Sequence, residues 1–213
     1  MKNRIIALGL VLALGLSGLT GCVKVVKIGE EGKLTGAVEF NAGDNVAQIW
    51  ESAIIPELEE KAVDLAGFLE ASKGDLKSLV DQYGKYSMGT TGEINYVVKG
   101  TGIVEEVENT KKAGYMTIKV DGYDGPVIVK IQIGPVYKGS SVRDSLDVIS
   151  FGDYTNQEQW AAVSQSLNQI INETVVAPAD PGSLTGKKIE FLGTFTAADN
   201  DEILITPVVL RVI

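Results

Sequence analysis

An α+β fold is predicted by a change of hydrophobic period part-way along the chain and by the order of the elements after it. Residues 44–88 repeat their apolar positions at about 3.6, the helical spacing, and from Gly92 the period drops to about two, that of strands with one buried face. The later elements then run strand, strand, strand, helix, strand, strand. That is the order of an OB-type barrel, in which a helix plugs one end between the third and fourth strands. Strand spacing alone also allows a sandwich. The resulting layout is a leader over residues 1–21, a tether over 22–43, a small helical subdomain over 44–88, and an OB-like β-barrel over 89–213 with its helix at 155–174.

The leader sets the address. Lys2 and Arg4 precede an apolar run of 12 residues, 5–16, and then Leu19-Thr20-Gly21-Cys22 follows. This is the pattern of a secretion signal. A leucine three places before a cysteine, with small residues between, resembles the bacterial lipobox. That resemblance implies diacylation of the Cys22 thiol, cleavage before it, and acylation of the new amino terminus. Each buried methylene contributes about 0.8 kcal/mol, so two or three acyl chains hold a protein to a membrane where one does not. The competing reading, an uncleaved membrane helix, has only 15 residues from Ile5 to Leu19 against the roughly 20 that a bilayer core needs. Val23 after the cysteine, where aspartate would retain the protein, favours the outer membrane in a host with two membranes.

After the tether, Asp44 is expected to cap a first helix carrying Val46, Ile49 and Trp50, with Pro56 interrupting it or starting the next. A second helix places Ala62, Leu65, Ala66 and Leu69 on one face, and a third spans residues 75–83. Ile94, Tyr96 and Val98 alternate with polar residues in the first strand, which continues through a bend or bulge at Gly100 and Gly102 to Val107. Residues 115–120 and 127–133 form the second and third strands. Thr155 and Glu158 suit a capping box for the helix carrying Trp160, Val163, Leu167, Ile170 and Ile171. Pro178 and Pro181 enforce a loop. Residues 188–196 and 203–213 are the last two strands, around a turn at 199–202.

Composition removes several classes of function. The 213 residues carry 19 basic and 28 acidic side chains, a formal charge of −9, and loss of Lys2 and Arg4 with the leader takes this to −11. Such a surface repels phosphate backbones, which argues against nucleic acid. With no histidine, the commonest general base and transition-metal ligand are both missing. The one cysteine cannot close an intramolecular disulfide or build an ordinary zinc site. No metal, cofactor or catalytic residue is expected, and the chain does not read as an enzyme: it has no nucleophile elbow, no serine followed by lysine three residues later and no glycine-rich phosphate loop. A hydrolase would need two carboxylates flanking the scissile bond, for which Asp144 and Asp153 are the candidates.

The densest polar stretch lies between the third strand and the 155–174 helix. Arg143, Asp144, Asp147, Asp153, Asn156 and Gln157 fall there, with Phe151 and Tyr154 among them. An arginine amid carboxylates can present its fork to sugar hydroxyls or to a substrate acid, with Tyr154 or Phe151 as a flat apolar wall. The same residues equally suit an internal ion pair and turn caps that fix the loop over the barrel end, which is the commoner arrangement. The candidate ligand-binding set is Arg143, Asp144, Asp153, Tyr154, Asn156 and Gln157. Trp50 and Trp160 sit in line with apolar stripes and read as core. Asp121-Gly-Tyr-Asp-Gly125 lacks the ligand spacing of a calcium loop and reads as a hairpin turn.

Several separated blocks together resemble the DUF2291 family of predicted bacterial periplasmic lipoproteins: IWESAIIPELEEKAVDL from Ile49, IQIGP from Ile131, GSSVRDSL from Gly139, ISFGDYTNQ from Ile149 and GKKIEFLGTFT from Gly186. The resemblance spans nearly the whole mature chain. It implies a helical part paired with an OB-like barrel and, because members are encoded beside sugar-type ABC transporters, an accessory role in carbohydrate uptake. The partners implied are a membrane, through lipidated Cys22, and a sugar or transporter component; the alternative is a structural lipoprotein engaging only other proteins. The family has no assigned activity, so it transfers no functional residue to this chain.

Overall fold

The computed structural model describes residues 42–198 and 201–213, which belong to one compact unit, Asn41–Ile213. The leader, Cys22, the tether and the first two residues of the 199–202 turn lie outside the described residues. Helix α1 (Ala42–Ile49) runs through a wide, π-helical turn (Trp50–Ile54) into α2 (Ile55–Lys61), with Pro56 in the first turn of α2, where its missing N–H costs no hydrogen bond. Val46, Trp50, Ile54 and Leu58 recur every four residues and are all buried, the apolar stripe of this segment. Asp44 is not the cap that was expected, since α1 begins two residues before it.

The expected second helix is cut in two. Ala62 turns extended at φ −69° and ψ 122°, and β1 (Val63–Asp64) pairs in parallel with Val98 and Lys99 before α3 (Leu65–Ser72) begins. Asp64 causes the break: its carboxylate accepts the Gly67 N–H at 2.8 Å as an N-cap, and a cap residue needs an extended backbone. The expected 75–83 helix shrinks to a series of turns ending in α4 (Val80–Tyr83). A strand absent from the sequence reading follows. β2 (Lys85–Met88) forms a hairpin with β3 (Thr91–Glu108) through Gly89 and Gly92, both at positive φ, where a Cβ would be strained.

β3, β4 (Ala113–Val120), β5 (Ile128–Pro135), β6 (Lys188–Thr196) and β7 (Glu202–Val212) close a barrel in the order β3-β4-β5-β7-β6-β3, the β5–β7 pair parallel and the others antiparallel. Closure requires β3 to coil hard. Gly102 permits it, because a Cβ there would lie 2.5 Å from the Lys119 carbonyl oxygen. The register shift against β4 falls between Val104 and Glu106, just past the glycines where a bend was expected. Inside, Phe68, Tyr96 and Phe195 pack ring on ring at 4.7–5.8 Å.

Between β5 and β6 come the short α5 (Ser141–Ser145) and the long α6 (Gln157–Ile170). The cap of α6 is one residue later than the expected Thr155: Asn156 Oδ1 accepts the Gln159 N–H at 2.9 Å, and Gln159 Oε1 accepts the Thr155 N–H at 2.9 Å. Asparagine is the stronger cap of the two. A capping box does occur one turn earlier, between Ser150 and Asp153.

A chain of charges holds the loop after α5. The Glu57 carboxylate accepts the N–H groups of Asp147 (2.5 Å) and Val148 (2.9 Å) and the Lys61 ammonium (2.6 Å). Lys61 also donates to Ser145 O and Asp147 Oδ2, while Lys85 donates to Leu146 O and Asp147 Oδ1. The Glu57 side chain is 16% exposed and that of Asp147 70%, so the weight falls on Glu57, where water cannot replace lost bonds. Glu57→Ala is expected to cost about 2 kcal/mol and to lower the melting temperature by about 6 °C, read by calorimetry.

Acid should loosen the clamp. Burial raises the Glu57 carboxyl, but hydrogen bonds from Lys61 and the two amides outweigh it and hold the group below the usual range; hydrogen bonds from Lys61 and Lys85 do the same for Asp147. A carboxyl lowered in the folded state contributes stability above its unfolded pKa, roughly 4, and loses it as pH falls through the folded value. Denaturant midpoints should therefore drop between about pH 5 and pH 3, and less steeply in Asp147→Asn. Equal slopes would show that Asp147 is not part of the linkage.

Candidate functional site

A cavity of about 910 Å³ opens between the β2–β3 hairpin on one side and α5, the 146–151 loop and the first turn of α6 on the other. The two walls have different origins. Ser141 ties α5 to the barrel, its Oγ 2.8 Å from Thr194 Oγ1 on β6, and both residues are buried. The hairpin is held across from it by Lys85, through Asp147 and Leu146.

Arg143 lies on the inner wall, and each nitrogen of its head makes one contact. Nε (2.8 Å) and Nη2 (2.7 Å) both reach Asp144 Oδ1, Nη1 donates to the Trp160 carbonyl at 3.2 Å, and the guanidinium carbon stands 4.3 Å from the centre of the Trp160 ring. The fork that the sequence suggested for a ligand is therefore turned inward. Asp144 is left with Oδ2, which takes no hydrogen bond among the described residues. Its side chain is only 5% exposed, and burial pushes its carboxyl above the usual range against the pull of Arg143.

Of the six residues picked from sequence, Arg143, Asp144 and Gln157 line the cavity. Asp153 does not: its Oδ2 accepts the Ser150 N–H at 3.0 Å and closes a turn. Asn156 is the α6 cap, and the Tyr154 ring packs 5.4 Å from that of Trp160. Phe151, 46% exposed, stands edge-on to Trp160 at 5.8 Å and supplies the flat wall instead. Trp50 is core; Trp160, expected there too, is half-buried on the cavity wall.

Sequence reasoning missed the opposite wall, Lys85, Tyr86, Met88 and Glu93. The signal that marks it is Gly89-Thr-Thr-Gly92, two glycines bracketing a turn directly before an alternating strand. Elsewhere, Asp121 accepts Thr101 Oγ1 at 2.5 Å and pairs with Lys188 at 2.9 Å, while Asp124 pairs with Lys119 at 3.4 Å, so that turn is held by strand neighbours. Among the described residues no group of three or more Cys, Asp or Glu is placed to hold a metal ion, and no helix is long and apolar enough to cross a membrane.

Comparison with known proteins adds the fold and the family. An OB-fold protein from Thermotoga maritima MSB8 superposes with a TM-score of 0.64 at 15% identity, covering 82% of this chain and 99% of that one. No curated protein matches the sequence. The model of a family described as predicted periplasmic lipoprotein matches residues 10–211. This chain, with its lipobox-like leader and OB barrel, therefore belongs to the DUF2291 family of predicted periplasmic lipoproteins and is a lipid-anchored protein of the cell envelope.

Proposed function

We propose that the protein is a non-catalytic binding module, anchored through acylated Cys22, that takes a sugar-type solute in the cavity beside α5 and works alongside a carbohydrate ABC uptake system. The observation that carries this is the pairing of an exposed aromatic edge, Phe151, with the polar side chains of Glu93, Gln157 and the Arg143–Asp144 pair in a cavity of about 910 Å³. Pockets for small ligands have this make-up, an apolar wall with a few convergent polar groups, at roughly 300–1,000 Å³. Catalysis by two opposed carboxylates is disfavoured because Asp153, the partner that the sequence offered to Asp144, caps a turn away from the cavity.

A second reading, docking of protein partners only, draws on Met88, which is 73% exposed at the mouth of the same cavity. Thermal-shift measurements on the full-length protein in detergent, against a panel of monosaccharides and oligosaccharides, separate the two. The binding module should gain several degrees with at least one sugar at saturation. No shift with any sugar, together with a protein recovered by crosslinking at a Met88-adjacent site, would favour docking. For the anchor, Cys22→Ser is expected to move the protein from the membrane pellet to the soluble fraction; a variant that still pellets would place the attachment elsewhere.

A further inference from the structure

The charges on the cavity wall come in matched pairs. Arg143 is held to Asp144 at 2.7 Å and Lys85 to Asp147 at 2.6 Å, while Glu93, the remaining charged side chain of the wall, is exposed, where water and salt screen it. What the pairs leave over is hydrogen-bonding capacity of both kinds. A guanidinium carries five N–H groups; Arg143 gives one from Nε and one from Nη2 to Asp144 Oδ1 and one from Nη1 to the Trp160 carbonyl, which leaves one N–H on each Nη. Lys85 keeps one of its three N–H groups beyond those given to Asp147 and the Leu146 carbonyl. Next to the Arg143 donors stands an acceptor, Asp144 Oδ2, on the same carboxylate whose Oδ1 is fixed 2.7 Å from Nη2.

We infer that the Arg143–Asp144 pair reads two neighbouring hydroxyl groups of an uncharged sugar, one accepting from an Arg143 Nη and the next donating to Asp144 Oδ2, while Phe151 covers the apolar face of the ring. This rests on the reading of the cavity as a sugar site, and it names the charge and the feature by which that sugar is chosen. A hydroxyl both donates and accepts, so adjacent hydroxyls satisfy a donor and an acceptor held side by side without bringing charge. A uronate could use the Arg143 donors but would set a second anion against Asp144, and an amino sugar could use Asp144 but would set a second cation against Arg143. Water relieves neither repulsion well, because the Arg143 and Asp144 side chains are only 13% and 5% exposed. The pair is also fixed before any ligand arrives: the Trp160 ring lies 4.3 Å from the guanidinium carbon and the Trp160 carbonyl takes Nη1, so little ordering is left for binding to bring about. Phe151 stands edge-on to the same tryptophan at 5.8 Å, which places a flat apolar surface on the wall that carries the pair.

Isothermal titration of the full-length protein in detergent tests this, with glucose, galactose and mannose, each beside its 2-amino and its uronic acid form, at about pH 6, where the amines are cationic and the acids anionic. In the series that binds best, the neutral sugar should be about tenfold tighter than either charged form, as one hydrogen bond to a charged group would give. Asp144→Asn leaves Arg143 without its counter-charge, so it should narrow or reverse the gap between the neutral sugar and the uronic acid while leaving the amino sugar weak. If that variant does not fold, the native series decides alone. An amino or uronic form that binds as tightly as the neutral sugar would overturn the inference and leave the sugar reading in place, as would a gap unchanged in folded Asp144→Asn. No heat from any of the nine would remove both.

Discussion

Closure of the barrel by β3 against β6 is the constraint on which the remaining structure depends. The ladder runs from Asn95 opposite Thr196 to Ile103 opposite Lys188, and only β3 is long enough to make it while also pairing on its other edge. That other edge is shared in sequence among β2, β1 and β4, so Asn95, Val98 and Gly102 each have ladder partners on both sides. The two residues of β1 are explicable only this way. They fill the gap between β2 and β4, where a helix running through Ala62 would leave Val98 and Lys99 without a ladder partner on that edge.

The same length of β3 creates the cavity. Its first residues overrun the start of the β6 ladder at Asn95 and carry β2 with them as a hairpin, opposite α5 and the start of α6. A hairpin of this size has little stability in isolation. What fixes it is charge: Lys85 on the hairpin and Lys61 on α2 converge on Asp147, and Glu57 holds the backbone on which Asp147 sits. Drawing either lysine away from Asp147 would loosen the wall, so both act here as structure.

The barrel was legible because its signals are local and repeated. Strand period, Asp-Gly turns and a helix of ordinary length between the third and fourth strands each report on a few adjacent residues, and β6 runs over residues 188–196 as read. The helical part was less legible because a 3.6 period in Ala62, Leu65, Ala66 and Leu69 survives a break: Leu65 and Leu69 are buried with or without continuity through Ala62. Asp64 followed by Gly67 was the available cue. At the site, the sequence brought together neighbours in the chain, of which half reach the cavity. The rest serve the turns between them, as Asp153 and Asn156 do, and Glu93 arrives from 51 residues away from Asp144 by a topology that spacing does not reveal.

Adjacent residues of opposite charge usually signify little, yet Arg143 and Asp144, in one turn of a five-residue helix, form an ion pair that is almost wholly buried in the cavity wall. Because the two are consecutive, Arg143 approaches a single carboxylate oxygen with both Nε and Nη2 and leaves the second untouched. The buried polar side-chain atoms that lack partners among the described residues include Tyr96 Oη and Ser145 Oγ, and burial pushes the tyrosine hydroxyl up to about 12. Those are neutral hydroxyls closed into the core, each a fixed loss of modest size. Asp144 Oδ2 is not one of them: it carries charge, its other oxygen is paired with Arg143, and it belongs to a cavity wall. The aromatic support behind the pair, Phe151 and Tyr154 against Trp160 and Trp160 under Arg143, holds the guanidinium against Asp144 Oδ1.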